Sequence, residues 1–356
     1  MLYDGNGSTQ SITGVGFQPD LLWGKVRNDT YDPVMTNSIS GTGKYLITSS
    51  TAIEASNANG ITSFDSDGFS VGSQEEWNPS LTVEDDMVVW SWLAGGAPTA
   101  DNDNTSGAMD ANSVSLNGSL QSSYTPSGSP SIYPTRMSIN TTAGFSIISY
   151  TGNDTDGATV PHGLASKPDL IIVKALPSAT NWPVYNSPQG ATKTIWLDED
   201  DDEGTGDSYW YDTEPTASVF SLGRSSQTNN TVDYISYVFH SVEGYSRIGK
   251  YEGNGESSDD APFAYCGFRP AWVMIKGLET DVRYWMMYDN KRSPYNVVDD
   301  YLRADSNAAE SAGSSEALDF VSNGFRIRTD QTQINPNEPC LFLAFAEAPF
   351  KYALAR

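Results

Sequence analysis

Residues 168–174 read Pro168-Asp169-Leu170-Ile171-Ile172-Val173-Lys174, a short apolar run that begins at a proline and ends at a lysine. The same pattern occurs at residues 19–25 and 270–276, with the same spacing between proline and lysine. Short runs rich in β-branched and aromatic residues, bounded by turn-forming residues, are typical of buried β-strands. The three runs therefore predict one strand that recurs three times along the chain.

Further signals recur in the same order around each run. A Tyr-x-Gly-Asn signature begins at Tyr3, Tyr150 and Tyr251, and a Leu-to-Phe pair 23 positions apart follows each run, at Leu46–Phe69, Leu197–Phe220 and Leu302–Phe325. The positions that serve as repeat anchors are Pro19, Lys25, Phe69, Pro168, Lys174, Phe220, Pro270, Lys276 and Phe325. An ordered set of signals that occurs three times predicts a triplicated unit.

The fold class follows from the elements inside each repeat. Short strands with frequent Gly, Pro, Asn and Asp turns predict an all-β protein of three tandem antiparallel β-sandwich modules, lectin-like or jelly-roll-like. We place the first repeat at residues 1–97, the second at 144–249 and the third at 250–356.

Residues 98–143 match none of the repeats and form an extended arm or a linker. Ile132, Met137 and Ile139 lie in this segment, and a flexible spacer has no need of such apolar residues. We therefore expect an ordered arm that packs on a neighbouring module or subunit.

Charge excludes several classes of partner. With 45 acidic and 20 basic residues the formal net charge is −25, and such a surface repels nucleic acids and anionic membranes. No apolar run is long enough to span a membrane, and the first residues lack the pattern of a signal peptide. Cys266 and Cys340 allow one disulfide, but two free thiols are the simpler interpretation.

The sequence points away from an enzyme and from a bound cofactor. Lys25, Lys174 and Lys276 recur in every repeat, so we interpret them as structural lysines that snorkel or are paired. His162 and His240 have no adjacent nucleophile motif or metal-binding spacing. A glycosidase needs only two carboxylates, so the acidic residues leave glycoside hydrolysis open.

Two groups in the second and third repeats are candidate binding residues. Asp198, Asp200 and Asp202 lie in the densest acidic run and predict at most a weak Ca²⁺ site. Aromatic side chains stack on sugars, and the candidates for glycan binding are Tyr209, Trp210, Tyr211, Trp182 and Trp285. The alternative is that these rings form core, as most aromatic residues of β-sandwiches do.

The order of motifs resembles a family of repeat modules in tailed-bacteriophage virion proteins, many from marine phages. The resemblance rests on Tyr3 to Gly7, Gly16 to Pro19, Phe64 to Phe69 and Ala344 to Tyr352. It implies a place in a virion, as a tail fibre, spike or capsid decoration, after assembly in the host cytoplasm. The expected partners are other virion proteins, further copies of the chain in a homo-oligomer with a trimer favoured, and a host-surface glycan.

Overall fold

A computed structural model describes residues 1–81, 86–256, 260–280 and 282–348. These residues form 28 strands and one 3-10 turn, Ser314–Glu316. The prediction of an all-β fold with antiparallel sandwich packing is confirmed. The last residues of the Ala344 to Tyr352 motif lie outside the described part of the chain.

The strands follow one another without intervening α-helices in the described ranges. The first repeat contains β1 (Leu2–Tyr3), β2 (Gln10–Thr13), β3 (Leu21–Val26), β4 (Val34–Asn37), β5 (Lys44–Ile47), β6 (Ala55–Ser56), β7 (Ile61–Asp65), β8 (Gly68–Val71) and β9 (Met87–Trp92). The arm contains β10 (Val114–Leu116), β11 (Ser119–Leu120) and β12 (Arg136–Asn140). The second repeat contains β13 (Phe145–Thr151), β14 (Ala158–Pro161), β15 (Leu170–Ala175), β16 (Pro183–Asn186), β17 (Lys193–Trp196), β18 (Gly204–Thr205), β19 (Val219–Leu222) and β20 (Asp233–Phe239). The third repeat contains β21 (Ser246–Glu252), β22 (Phe263–Tyr265), β23 (Pro270–Gly277), β24 (Met286–Asp289), β25 (Leu302–Arg303), β26 (Leu318–Val321), β27 (Gly324–Ile327) and β28 (Pro339–Ala346).

Each repeat contributes one large and one small sheet. The large sheets have the orders β1-β9-β3-β4-β5-β6, β11-β10-β12-β13-β20-β15-β16-β17-β18 and β21-β28-β23-β24-β25. The small sheets are β2-β8-β7, β14-β19 and β22-β27-β26. The first, third and last strands of each repeat are neighbours in its large sheet. The exact division into three modules at the stated boundaries stays a prediction.

Strand register repeats as well, with one correction to the sequence anchors. The recurring lysines face equivalent partners, since Lys25 lies opposite Val88, Lys174 opposite Ile235 and Lys276 opposite Leu341. Leu46 and Leu302 lie opposite Met35 and Met287, but the equivalent residue opposite Val184 is Ile195. The anchor at Leu197 is therefore wrong by two positions, because the second repeat has a longer loop before Phe220.

The arm is built into the large sheet of the second repeat. Strand β12 pairs antiparallel with β13, and β10 pairs parallel with β12. Five arm residues are buried in the core beneath that sheet: Met109, Val114, Ile132, Met137 and Ile139. These contacts give residues 98–143 a packing role that a flexible linker lacks.

Three cores lie inside the individual sandwiches, and a fourth lies between them. This central core contains residues from the large sheets of all three repeats, among them Trp23, Ile172 and Met274, which occupy equivalent register positions. The large sheets therefore meet with their inner faces around a common centre. No helix in the described ranges is long and apolar enough to cross a membrane.

Candidate functional site

The recurring tyrosine, glycine and asparagine of the signature close one end of each sandwich. Each tyrosine hydroxyl donates to a backbone carbonyl, from Tyr3 to Trp77, from Tyr150 to Thr228 and from Tyr251 to Ile334. The backbone N–H of each signature asparagine donates to a buried asparagine side chain, in the pairs Asn6–Asn78 at 2.8 Å, Asn153–Asn229 at 2.9 Å and Asn254–Asn335 at 2.9 Å. A Cβ on Gly152 would lie 2.1 Å from the carbonyl oxygen of Asn230, so only glycine allows this approach. The signature residues thus have a structural role, because their hydrogen bonds hold the end of each sandwich together.

The three recurring lysines are fully buried at the junctions between repeats. Lys25 Nζ donates to the carbonyl of Asn307 at 3.3 Å, Lys174 Nζ to that of Thr51 at 3.3 Å, and Lys276 Nζ to that of Glu199 at 3.1 Å. Each lysine thereby reaches the loop that follows the fifth strand of another repeat. The snorkelling interpretation is wrong, because the ammonium groups end inside the protein on carbonyl acceptors.

Burial also changes how readily these lysines hold a proton. Removal from water disfavours the charged form and lowers the pKa of Lys25 and of Lys174 to about 8. Lys276 shares a buried environment with Asp305, and burial lowers the pKa of the lysine and raises that of the carboxyl group. The carbonyl acceptors compensate part of the cost of burying each charge.

A second set of contacts joins the same junctions through the backbone. The N–H of Glu54 donates to the carbonyl of Leu176 at 2.8 Å, that of Glu203 to Leu278 at 3.0 Å, and that of Glu310 to Arg27 at 2.7 Å. Each acceptor lies two residues after the recurring lysine of its repeat. The first repeat thus contacts the second, the second the third, and the third the first. The three repeats form a closed ring.

Two of the candidate glycan-binding tryptophans belong to this ring. Trp182 is fully buried and its indole N–H donates to the carbonyl of Ser50 at 3.1 Å. Trp285 is equally buried and donates to the carbonyl of Trp196 at 2.7 Å. Both rings seal contacts between repeats and leave no face for a sugar, so glycan binding by Trp182 and Trp285 is corrected to a packing role.

The aromatic triplet of the second repeat does not form a shared binding face. Trp210 is buried and packs edge-on against Tyr185, while Tyr209 is half-buried against Trp196. Tyr211 is exposed, with 42% of its surface accessible, and its φ of 53° lies in the left-handed region. Trp210 is thus core, and Tyr211 is the one member of the triplet with a ring open to solvent.

The three candidate aspartates of the acidic run lie in different local environments. Asp198 is buried, and its carboxylate accepts the backbone N–H of Trp182 at 2.8 Å, while burial raises its pKa to about 6. The carbonyl of Asp200 accepts the N–H of Arg283, which ties this residue to the third repeat. Asp202 lies in the exposed part of the loop. Within the described ranges no group of three His, Cys, Asp or Glu side chains is placed to hold a metal ion.

His162 and both cysteines fill interior positions, while His240 is half-buried. His162 is buried, which lowers its pKa to about 4, and His240 bonds the carbonyl of Ser241 through Nδ1 at 2.8 Å. Cys266 and Cys340 are both free and buried, and burial raises the pKa of each thiol to about 12. The interpretation as two free thiols is confirmed, and their protonated state makes them poor nucleophiles.

Two grooves remain as candidate sites. A polar groove of about 680 Å³ lies where the arm meets the second repeat, and it is lined by Asp101, Asp103, Tyr133, Asn153 and Asp233 among others. A more apolar groove of about 490 Å³ lies between the first and third repeats, against Trp90, Trp92 and Trp272. Sequence reasoning did not find the polar groove, because only the fold of the arm brings Asp101 and Tyr133 beside Asp233 of the second repeat.

The polar groove offers acceptors and the half-buried ring of Tyr133, while the second tyrosine in its lining, Tyr150, is buried. Asp101 is paired with Arg136 at 2.5 Å, and Asp233 accepts the hydroxyl of Thr151 at 2.7 Å. The hydroxyl of Tyr133 accepts the N–H of Gly107 at 3.1 Å, which holds the ring beside the acidic loop. Such a lining suits a ligand rich in hydroxyl groups.

Comparison with known proteins gives one family. No curated protein and no solved structure matches the chain. One family matches twice, over residues 1–129 and 121–349, which together cover almost the entire sequence. The protein therefore belongs to the family described as "Domain of unknown function (DUF7483)".

Proposed function

We propose that this protein is a structural component of a bacteriophage virion, carried as an external appendage such as a tail fibre or spike. The observation that carries the proposal is the closed ring of repeats, in which the recurring lysines and the recurring backbone contacts hold one repeat to the next. Residues that recur in every repeat thus serve architecture, as expected of a building block. The resemblance of the sequence motifs to phage virion modules supports the proposed location.

Surface charge supports the same role. A net charge of −25 keeps copies of a protein apart at the high local concentration of a particle surface. The homo-oligomer and the contacts with other virion proteins belong to the proposal, with a trimer of the ring as the favoured state. Light scattering on the purified protein measures that state directly.

The test is the position of the chain in purified particles. Density-gradient virions are probed with an antibody against residues 98–143, and the labelled particles are imaged by cryo-electron microscopy. We expect the protein to sediment with the particles and the label to lie on the tail. Label on the capsid would instead assign it to capsid decoration, and protein found only in the soluble fraction would overturn a virion role.

Host-surface glycan binding is a second candidate, which the polar groove favours. Its carboxylates and amides accept and donate to hydroxyl groups, and the ring of Tyr133 offers a stacking surface beside them. We expect a Tyr133→Ala variant to lose glycan-array signal about 10-fold or more. Tyr265→Ala is the matched control, because Tyr265 is 61% exposed and lies in the third repeat, away from the groove. Equal binding by both variants would contradict the candidate.

A further inference from the structure

The arm closes one flank of the second sandwich, because it bridges the edges of the two sheets there. On the large sheet, the N–H of Thr135, just before β12, donates to the carbonyl of Ser149 in β13 at 2.8 Å. On the small sheet, the N–H of Ile132 donates to the carbonyl of Thr159 in β14 at 3.0 Å. Backbone groups on both edges thus find partners in a segment that is not part of the repeat.

The same flank of the third sandwich has no such cover in the described ranges. Lys250 of β21 is equivalent to Ser149, because each residue directly precedes the tyrosine of the signature. Alternate residues of an antiparallel strand point their hydrogen-bonding groups to the same side. Gly253, three residues after Lys250, donates to the carbonyl of Glu338 next to β28 at 3.0 Å. Lys250 therefore directs its N–H and C=O away from β28, to an edge where no described strand pairs with β21.

Strand β22 forms the opposite edge of this flank and carries two exposed aromatic residues. Phe263 is 45% exposed and Tyr265 is 61% exposed. In register with the recurring phenylalanine, the equivalent residues are Ser11 and Thr13 in the first repeat and Thr159 and Pro161 in the second. Residues that recur in this molecule serve its architecture, so exposed aromatic rings that occur in one repeat alone indicate a separate role.

A groove of about 390 Å³ lies between β21 and β22, at the position that the arm fills in the second repeat. Its floor is apolar, since Ala264 and Phe342 belong to the core of the third sandwich. Arg247 and Lys250 are exposed along its β21 side, and Lys250 Nζ lies 3.6 Å from a carboxylate oxygen of Glu252. Arg247 has no ion-pair partner in the described part of the chain. In a protein of net charge −25, this groove therefore combines an apolar floor with a locally basic rim.

We propose that this flank docks an extended acidic segment of another protein, which pairs antiparallel with β21 as β12 pairs with β13. The backbone of the segment bonds the outward N–H and C=O of Lys250, as in other cases of strand addition to a sheet edge. Its inward side chains cover the apolar floor beside Phe263 and Tyr265, and its carboxylates face Arg247 and Lys250. That the partner is another virion protein rests on the proposed function, whereas the docking of an acidic strand does not.

A second copy of β21 suits this edge less well than an acidic segment does. Two β21 strands paired about a two-fold axis at Gly249 or Lys250 would place their Lys250 side chains diagonally or directly opposite each other on one face. Like charges at such positions repel across a sheet. A segment with carboxylates at these positions is complementary to the basic rim, so charge favours a partner of different sequence.

Hydrogen exchange of the Lys250 amide, measured on the full chain during titration with a synthetic peptide, tests the docking. The probe has the sequence of residues 134–142 of the arm with the changes Arg136→Glu and Ile139→Glu, at the two positions that face Lys250 and Arg247 in the register of β12 on β13. We expect the amide to exchange fast without the probe and about 100-fold or more slowly at saturation. The unmodified arm peptide is the control, and we expect it to bind about 10-fold or more weakly.

A Phe263→Ser variant tests the aromatic edge, because the first repeat carries Ser11 at this position. We expect its affinity for the probe to fall about 10-fold or more. Tyr211→Ser is the matched control, because Tyr211 is 42% exposed and lies in the second repeat. The Val238 amide reports whether the variants remain folded, and if Phe263→Ser loses its protection, Arg247→Glu at an exposed position replaces it.

Three results would overturn the proposal. The first is a Lys250 amide that stays unprotected at about 1 mM probe, and the second is equal affinity for the probe and the unmodified peptide. The third is a Lys250 amide that is already protected without the probe, which would assign this edge to the chain itself or, if dilution removes the protection, to a second copy. These measurements concern the flank alone, so the virion role is decided separately by the labelling of particles.

Discussion

Lys174 lies with its ammonium group among four backbone carbonyls, those of Thr51, Ala175, Ser178 and Thr180, at 3.0–3.3 Å. A Lys174→Met variant keeps most of the apolar volume but removes every donor, so buried acceptors lose their partners. We expect the free energy of unfolding to fall by about 2–3 kcal/mol in urea denaturation. Lys167→Met is the control, because Lys167 is exposed and paired with exposed Glu214, and we expect a change within about 0.5 kcal/mol. Equal midpoints for the two variants would show that the carbonyl contacts contribute nothing.

The same lysine makes stability depend on pH. Its pKa is about 8 in the folded protein and 10.5 ordinarily, so between these values the unfolded chain binds more protons than the folded one. Stability therefore rises with pH across this window, as the cost of burying the charge disappears. We expect the difference between the native protein and Lys174→Met to widen in favour of the native protein from pH 8 to pH 10. If the difference in unfolding free energy between the two proteins did not change over that range, the lowered pKa of Lys174 would be contradicted.

At the scale of single residues, the sequence shows which residues recur in every repeat, but it predicts poorly whether their side chains are exposed. Recurrence identifies the lysines as structural, since a residue found in all repeats serves architecture. The sequence also led us to expect snorkelling side chains, whereas the three lysines are fully buried. Trp182 and Trp285 were candidates for glycan binding because aromatic rings stack on sugars, and the structure shows the alternative, that they are core. Their burial depends on the neighbouring repeat, and the sequence of one repeat contains no information about which repeat packs against it.

Among the elements, strand β12 gives the sharpest test of the arm. Ile139 is fully buried in the core of the second repeat and lies opposite Ser146 of β13. Truncation to Ile139→Ala leaves a cavity, and we expect a loss of about 2–4 kcal/mol in unfolding free energy. Leu120→Ala in the same arm is the control, because Leu120 is 43% exposed and its truncation creates no cavity. A loss below about 1 kcal/mol for Ile139→Ala would mean that the arm adds little to this core.

The sequence predicts these elements to different degrees. Apolar residues in the segment 98–143 indicate packing, but the parallel pairing of β10 with β12 depends on contacts distant along the chain. The misplaced anchor at Leu197 has a similar origin. The second repeat has two additional residues in the loop between β18 and β19. They place Leu197, and not the strand residue Ile195, 23 positions before Phe220.

At the scale of the whole molecule, the large sheets share a central core, so no repeat buries its inner face alone. Rings from different repeats contact one another there, as Trp90 and Trp92 of the first do with Trp272 of the third. The junction between these two repeats also carries a buried charge network. Arg292 Nε donates to Asp289 at 2.6 Å, Arg292 Nη1 to Glu310 at 2.9 Å, and Glu310 also accepts from Arg27 at 2.6 Å.

Loss of Arg292 therefore tests whether the ring unfolds as a unit. An Arg292→Leu variant leaves the buried Asp289 without its cation. The contacts with Arg292 hold the pKa of that carboxyl group below its usual value, so their loss leaves a buried charge uncompensated. We expect a loss of about 3–5 kcal/mol, against less than about 1 kcal/mol for Arg224→Leu, whose partner Asp154 is exposed. Because the core is shared, hydrogen exchange through global unfolding should accelerate equally at Ala344 in the third repeat and at Val238 in the second. Acceleration confined to the first and third repeats would show instead that the second repeat folds independently of the ring.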